Sequence, residues 1–437
     1  MGAEAGNAAW ILISASLVLL MTPALALFYG GLSRQKSVLN MMMMSFSAIG
    51  VVGFIYILWG WSMSYGTQSW GGILANPFEF FGLKNSITDA NGEYITGANG
   101  YANVIDVCFQ LTFAVISTAL ISGAIAERVK FATWLVFTGC WVTLVYFPLA
   151  HMVWGGGLLA HNETGFAAWM FGTIEEAGEK VAAIQPVDFA GGTVVHISAG
   201  TTALVLAFLV GRRRSFMKSP HRPHNLPMVM LGAALLWFGW FGFNGGSAFA
   251  ADGLAGLAWL NTTAAAAAAM LGWLVVERIR DGHATSLGAA SGIVAGLVAI
   301  TPAAGALTPI TSLIVGAIGG AIAAWGVSLK FRFGFDDTLD VVGVHLLAGL
   351  WGTVSIGFFA KDTGLLTGGG VAGLKLLVVQ TVIALIAMIF AGVLSALIAI
   401  ILKSTMGWRI DDEAERSGID ADQHGESAYE SMGSEIR

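Results

Sequence analysis

Charge is what this sequence has least of. Only 11% of its 437 residues are Asp, Glu, Lys or Arg, while 56% are hydrophobic. A water-soluble chain carries about 25% charged residues, so most of this surface is built for a medium other than water. That excludes a soluble enzyme, and no basic patch points to nucleic acid. Cysteine is nearly missing as well. Cys108 and Cys140 stand in apolar runs, with no spacing that suggests a disulfide framework or a metal site, and both are expected to be buried, inert thiols. No basic residue precedes the first apolar run, so residues 10–29 are expected to remain as a span rather than leave as a signal peptide. Catalytic signatures are absent too, neither Gly-x-Ser-x-Gly nor His-Glu-x-x-His, and no motif calls for a cofactor.

What the chain has is apolar length. A membrane helix needs about 20 apolar residues, and eleven runs qualify: roughly 8–30, 39–61, 103–125, 131–153, 188–210, 226–246, 256–276, 284–301, 310–329, 338–359 and 373–402. The 58 glycines suit helices that must approach closely in lipid. The fold expected is therefore an all-α polytopic membrane protein of eleven transmembrane helices. Residues 1–404 form the spanning domain and 405–437 a polar cytoplasmic tail. Lys and Arg set the orientation. Of the 21 basic residues, 17 follow odd-numbered spans or lie in the tail; the exceptions are Lys84, Lys180, Lys361 and Lys375. The N-terminus is expected outside and the C-terminus inside. Loops 62–102 and 155–187, rich in Gly, Asn and Glu, read as ordinary extracellular loops.

Two histidines break the apolar pattern. Asp188-Phe-Ala-Gly-Gly-Thr-Val-Val-His196-Ile-Ser-Ala199-Gly200 aligns with Asp337-Thr-Leu-Asp-Val-Val-Gly-Val-His345-Leu-Leu-Ala348-Gly349. Aspartate, Val-His and Ala-Gly recur at the same offsets in the fifth and tenth runs. Five spans is an odd number, so the second set enters from the opposite face. The expectation is a 5+5 inverted repeat, about 8–210 and 226–359, plus an extra helix at 373–402. Eight residues of helix cover about 12 Å, which brings both histidines near the centre of a hydrocarbon core about 30 Å thick.

An ionisable group at that depth is costly and usually has a task. Hydrogen-bonded packing is one reading of the pair. A metal site is another, but the spans offer no third or fourth ligand. A proton relay, or a polar lining for a small hydride, is the third, because a neutral imidazole carries one donor and one acceptor. The aspartates have a local duty in any case: at a helix start they accept free N–H groups and favour the positive end of the dipole. His151, closing the fourth span, is expected to pack or cap; His221, His224 and His283 fall in basic loops and are expected to be solvated. Three aromatic stretches gather at the outer ends of spans: Phe109-Gln-Leu-Thr-Phe113, His151-Met-Val-Trp154, and Trp240-Phe-Gly-Phe243-Asn-Gly-Gly-Ser247. Aromatic faces with a hydroxyl suit a cation–π cage; an interfacial belt is the plainer reading.

These stretches, with Ala26-Leu-Phe-Tyr-Gly-Gly-Leu-Ser-Arg34, Asp340-Val-Val-Gly-Val-His345 and the tail segments Glu415-Arg-Ser-Gly-Ile-Asp420 and His424-Gly-Glu-Ser-Ala-Tyr429, resemble the Amt ammonium transporters of the Amt/Rh family over almost the whole chain. The resemblance implies a homotrimer in the plasma (inner) membrane with one pore per protomer. It implies ammonium or methylammonium as substrate and no cofactor or metal. A PII-class nitrogen regulatory protein would dock at the cytoplasmic face. By the same resemblance Phe113, Trp154 and Ser247 form an outer ammonium site. Phe113 and Phe243 stack as a gate, with Phe109 beside them and Trp240 lining the path. His196 and His345 are the twin histidines of the pore, and Asp188 and Asp337 give structural and electrostatic support. An electroneutral gas channel of Rh type and an ammonium sensor signalling through its tail are the rival readings.

Overall fold

The structure, a computed structural model, describes residues 2–219 and 222–429. Among the described residues eleven helices are long and apolar enough to cross a membrane: Gly2–Leu32, Gln35–Tyr65, Asn103–Ile125, Phe131–Val153, Gly192–Val210, Leu226–Gly246, Gly253–Asp281, Ser286–Ala303, Pro309–Phe333, Val342–Phe359 and Gly370–Thr405. They match the eleven apolar runs one for one. Apolar side chains on the outside of the bundle, such as Phe54 and Ile279, are 67% and 81% exposed, as a surface bathed in lipid requires. The same fact corrects the cysteines. Cys108 is exposed and Cys140 half-buried, because an apolar run in a membrane protein serves the lipid as well as the interior.

Two helix starts differ from the sequence reading. The fifth and tenth spans begin at Gly192 and Val342, beyond residues 188 and 338 where their apolar runs open. The reason is the aspartates. Asp188 accepts hydrogen bonds from the backbone N–H groups of Gly191, Gly192 and Thr193 at 2.8, 2.6 and 2.8 Å. Asp337 accepts from Val341 and Val342 at 3.1 and 2.8 Å. Each carboxylate thus ends the approach chain and fixes the first helical N–H groups. The depth estimate from eight helical residues is corrected accordingly: half of each approach is not helix. Both helices then open with a π-helical stretch, Gly192–Ile197 and Val342–Leu347, a wide turn that is rare and concentrates at functional sites. Each stretch contains its histidine.

The Ala-Gly repeat has a packing cause. A Cβ added to Gly200 would lie 2.5 Å from the backbone nitrogen of Leu346, and one on Gly349 would lie 3.0 Å from Cβ of His196. The fifth and tenth spans cross at these glycines, four residues beyond each histidine; at Gly200 the backbone contact leaves room only for hydrogen, and at Gly349 a methyl group would press on His196.

The two long loops are more ordered than ordinary connections. They hold hairpins, Ser69–Trp70 with Leu74–Ala75 and Thr173–Glu176 with Glu179–Ala182. They are joined to each other by Leu158 N–H donating to the Gly72 carbonyl at 2.8 Å. The far side of the bundle, the tail face, is tied down as firmly. Asp420 accepts from the N–H groups of Leu39 and Asn40 at 3.0 and 2.7 Å, and Glu415 accepts from Arg214 N–H at 2.6 Å. Fully buried Arg128 donates to the carbonyls of Ala124, Ala126, Gly211 and Asp336 and to the Thr338 hydroxyl. Burial pulls its guanidinium down to about 10. His224 is not simply solvated: its ring bonds the Ser33 carbonyl and the Tyr429 hydroxyl, each at 3.0 Å. His283 is exposed, and His221 lies outside the described residues. His151 is buried, with its ring on Ser69 Oγ at 2.8 Å and the Ser64 carbonyl at 3.1 Å.

Candidate functional site

Two cavities lie one behind the other inside the bundle. The upper one, on the side of the long loops, has a volume of about 610 Å³, and its lining includes Phe113, Trp154 and Ser247. Trp154 is held by its indole N–H, which donates to the Asp188 carbonyl at 2.9 Å. Its ring meets Phe113 edge to face, 6.2 Å between centroids at 88°. The Ser247 hydroxyl donates to the Phe243 carbonyl at 2.8 Å, which leaves its oxygen lone pairs to face the cavity. Two aromatic faces and a hydroxyl oxygen, with no lysine or arginine among the described residues of the lining, make a surface that favours a small cation.

The lower cavity, about 720 Å³, opens toward the tail face and is lined by Phe243, Trp240, His196 and His345 among others. Phe113 lines the upper cavity and Phe243 the lower. Their rings stack at 4.2 Å and 26°, so this pair is the partition. Phe109 sits differently from the gate position that the resemblance gives it. It is fully buried, lines neither cavity, and packs edge-on against Phe113 at 4.8 Å and Phe249 at 5.7 Å. It backs the stacked pair rather than facing either cavity.

Beyond the partition the two histidines meet. Their Nδ1 atoms are 3.2 Å apart, so one ring donates and the other accepts, and the pair cannot hold a proton on both of these nitrogens at once. Both rings are buried, and Nε2 of His196 has no hydrogen-bond partner among the described residues. The His196 ring also lies parallel to Trp240 at 5.6 Å, and the Trp240 N–H is spent on Thr301 Oγ1 at 2.8 Å. The indole therefore shows the path an apolar face.

Asp188 and Asp337 bracket the pair from either side. Asp188 is half-buried, and no ion pair among the described residues includes it. Asp337 is buried beside Asp340 and Lys330; burial and Asp340 push its carboxyl up to about 7. Lys330 donates to the Asp337 carbonyl at 3.0 Å and to Asp340 at 2.6 Å. Sequence reasoning missed other members of the upper cavity: Trp61, Tyr65, Asp106 and Phe249. Asp106 was legible in principle, seven residues before Phe113 and so on the same helix face. Phe249 was not, because its placement depends on a positive φ of 55° that no local pattern announces.

Comparison with known proteins agrees with this architecture. Residues 9–429 match the sequence model of the Ammonium Transporter Family. The chain is 49% identical over 449 residues to an ammonium transporter of Mycobacterium bovis, covering 98% of this chain and 91% of that protein. Among solved structures it is similar to a sensor Amt protein (TM-score 0.83, 26% identity, 96% of this chain and 98% of the other). It is likewise similar to Saccharomyces cerevisiae Mep2 (TM-score 0.81, 29% identity, 99% and 93%). With its eleven spans and full-length matches, the chain belongs to the ammonium transporter family.

Proposed function

We propose that the protein carries ammonium across the membrane as ammonia plus a separated proton. A bare ion of this size entering hydrocarbon faces a Born cost of order 20 kcal/mol, so an apolar path has to be crossed by the neutral molecule. Ammonium settles at Phe113, Trp154 and Ser247, where cation–π contact of about 0.5–2 kcal/mol replaces part of its hydration. At the Phe113–Phe243 partition its proton passes to a water molecule of the upper cavity, which becomes hydronium, and neutral ammonia goes on. Ammonia passes Trp240 and accepts or donates single hydrogen bonds at His196 and His345, whose shared Nδ1 contact gives the proton a route between the rings. Phe109 supports the partition from behind, and Asp188 keeps Trp154 in place and adds a negative field at the mouth.

On this reading the side of the long loops faces outward and the tail face is cytoplasmic, in the plasma membrane. The protein works as a homotrimer with one path per protomer. The tail, fastened to the floor of the bundle, is a regulatory segment that a PII-class protein engages. The observation that carries the reading is the order of parts along one line: aromatic vestibule, stacked partition, histidine pair. Current recorded from purified protein in a bilayer tests it. Ammonium addition should evoke a saturating positive current. Ammonia flux with no current would replace this mechanism with electroneutral conduction.

A further inference from the structure

One face of the third span carries a polar ladder that the mechanism above leaves unused. Asp106, Gln110 and Phe113 are spaced four and three residues apart, which sets them on one stripe of the helix, and all three line the upper cavity. Asp106 lies about 10 Å before Phe113 along the axis, at 1.5 Å per residue. It is 7% exposed. The Tyr101 hydroxyl donates to its Oδ1 at 2.7 Å and the Asn99 amide to its Oδ2 at 2.9 Å. None of the ion pairs among the described residues includes it. A carboxylate offers about four acceptor sites, and half of them remain open.

Gln110, one turn further in, is 9% exposed, and its side-chain oxygen has no hydrogen-bond partner among the described residues. A buried amide oxygen left unmet is costly. The residue lines the upper cavity, so a small rotation of its amide would offer this oxygen to a cation there. Trp61 and Tyr65, with rings 4.8 Å apart at 34°, add aromatic wall to the same cavity.

We infer that Asp106 and Gln110 form a second cation site, above Phe113 and Trp154, that holds ammonium or a primary methylated ammonium and loads it toward the partition. The inference rests on the proposed function and deepens it. The ligand class follows from the donor set. Carboxylate and amide oxygens beside aromatic faces accept the N–H groups of a monovalent cation and repel anions. A calcium-like divalent ion takes about 6–8 oxygen ligands, and Asp106 is the one carboxylate among the described residues that line this cavity. Asp106 also holds the loop of Asn99 and Tyr101 to the helix. Asn at this position keeps the shape and loses the charge, which separates the two duties.

The test uses the full chain in proteoliposomes, with ammonium-evoked current recorded over a range of ammonium concentrations. Asp106→Asn should raise the half-saturating concentration about 5-fold, the worth of one charge contact near a wet surface, with maximal current nearly unchanged. Raising ionic strength with N-methylglucamine chloride should shrink that difference, and Asp106→Glu should restore part of it. Gln110→Met disturbs no hydrogen bond of its side chain and should shift half-saturation in the same direction; it decides the matter if Asp106→Asn fails to assemble. Unchanged half-saturation in the assembled variants overturns the site, as does a fall in maximal current alone, and both leave the proposed function standing. A wild-type protein with no ammonium-evoked current overturns the proposed function and the loading role together.

Discussion

The fifth and tenth spans carry the same device in different electrostatic settings. Each opens with an aspartate on its first N–H groups, a π-helical stretch, a histidine and a crossing glycine. At the upper end Asp188 is half-buried and outside every ion pair of the described residues, and its own carbonyl positions the cavity tryptophan. At the lower end Asp337 is buried, its carbonyl is held by Lys330, and the neighbouring Asp340 forms an ion pair with that lysine. The histidines share one Nδ1 contact and the same place in their helices, whereas the charges around the caps differ. On the proposed mechanism the half-buried Asp188 carboxylate is the one placed to draw a cation to the upper cavity. The buried Asp337 carboxylate, which burial and Asp340 push up to about 7, carries less charge to hold a cation and serves as a cap.

The equivalence of the two histidines is the half of this comparison with the largest consequence. Replacing either His196 or His345 with alanine leaves the other ring without its partner, at a cost of about 1–3 kcal/mol, and cuts the proposed proton route. Ammonium-evoked current should disappear while the protein keeps its elution position in size-exclusion chromatography. His196→Asp should trade selectivity for a potassium leak, read as potassium flux beside methylammonium flux. Normal current and selectivity in both alanine variants would reduce the pair to packing.

The inequality of the aspartates is the next target. Asp188→Asn removes the free charge and weakens the cap, so apparent ammonium affinity should fall about 10-fold, from a field worth about 1–2 kcal/mol. Asp337→Asn should change it far less. Equal losses at the two positions would break the comparison. Trp154→Leu sharpens it, because this side chain links Asp188 to the cavity. Loss of a cation–π face worth about 0.5–2 kcal/mol should weaken apparent affinity roughly 2- to 30-fold, with Ser247→Leu moving it in the same direction.

The smallest effect concerns pH. The Asp337 carboxyl is raised to about 7 by burial and Asp340, so the folded protein binds this proton more tightly than the unfolded chain does. The associated stability is complete below about pH 4, the range of an unfolded aspartate, and is lost as pH rises through about 7. Thermal unfolding of the solubilised protein should therefore occur at a lower temperature at pH 8 than at pH 5.5. Asp337→Asn should flatten that slope, and a slope unchanged in the variant assigns it to other groups.

Much of the architecture was legible in the sequence, because a hydrocarbon core imposes length and apolarity on every crossing segment. The Asp, Val-His and Ala-Gly offsets were legible for a related reason: one packing problem, two helices crossing at glycine, is solved twice. The true starts at Gly192 and Val342 were not, since side-chain caps and π-helical turns leave no trace in hydropathy. Nor was the position of Phe109, because which of two phenylalanines one turn apart faces the path depends on helix rotation. The exposure of Cys108 was hidden because lipid and protein interior select the same residues. The bonds from Glu415 and Asp420 to the floor join parts hundreds of residues apart, and a charged tail reads the same whether it is docked or free.

The stacked phenylalanines have one more consequence. With ring centroids 4.2 Å apart, the faces are close to the carbon–carbon contact distance of about 3.5–4.0 Å, and no water molecule fits between them. A file of water along which protons hop is severed at that point. In electrical terms the partition is an insulator set in series between two cavities. A potassium ion would have to cross it stripped of its hydration. On the proposed mechanism a membrane can hold many copies of this path and still keep its voltage, because the charge that crosses is limited to the proton each ammonium ion delivers.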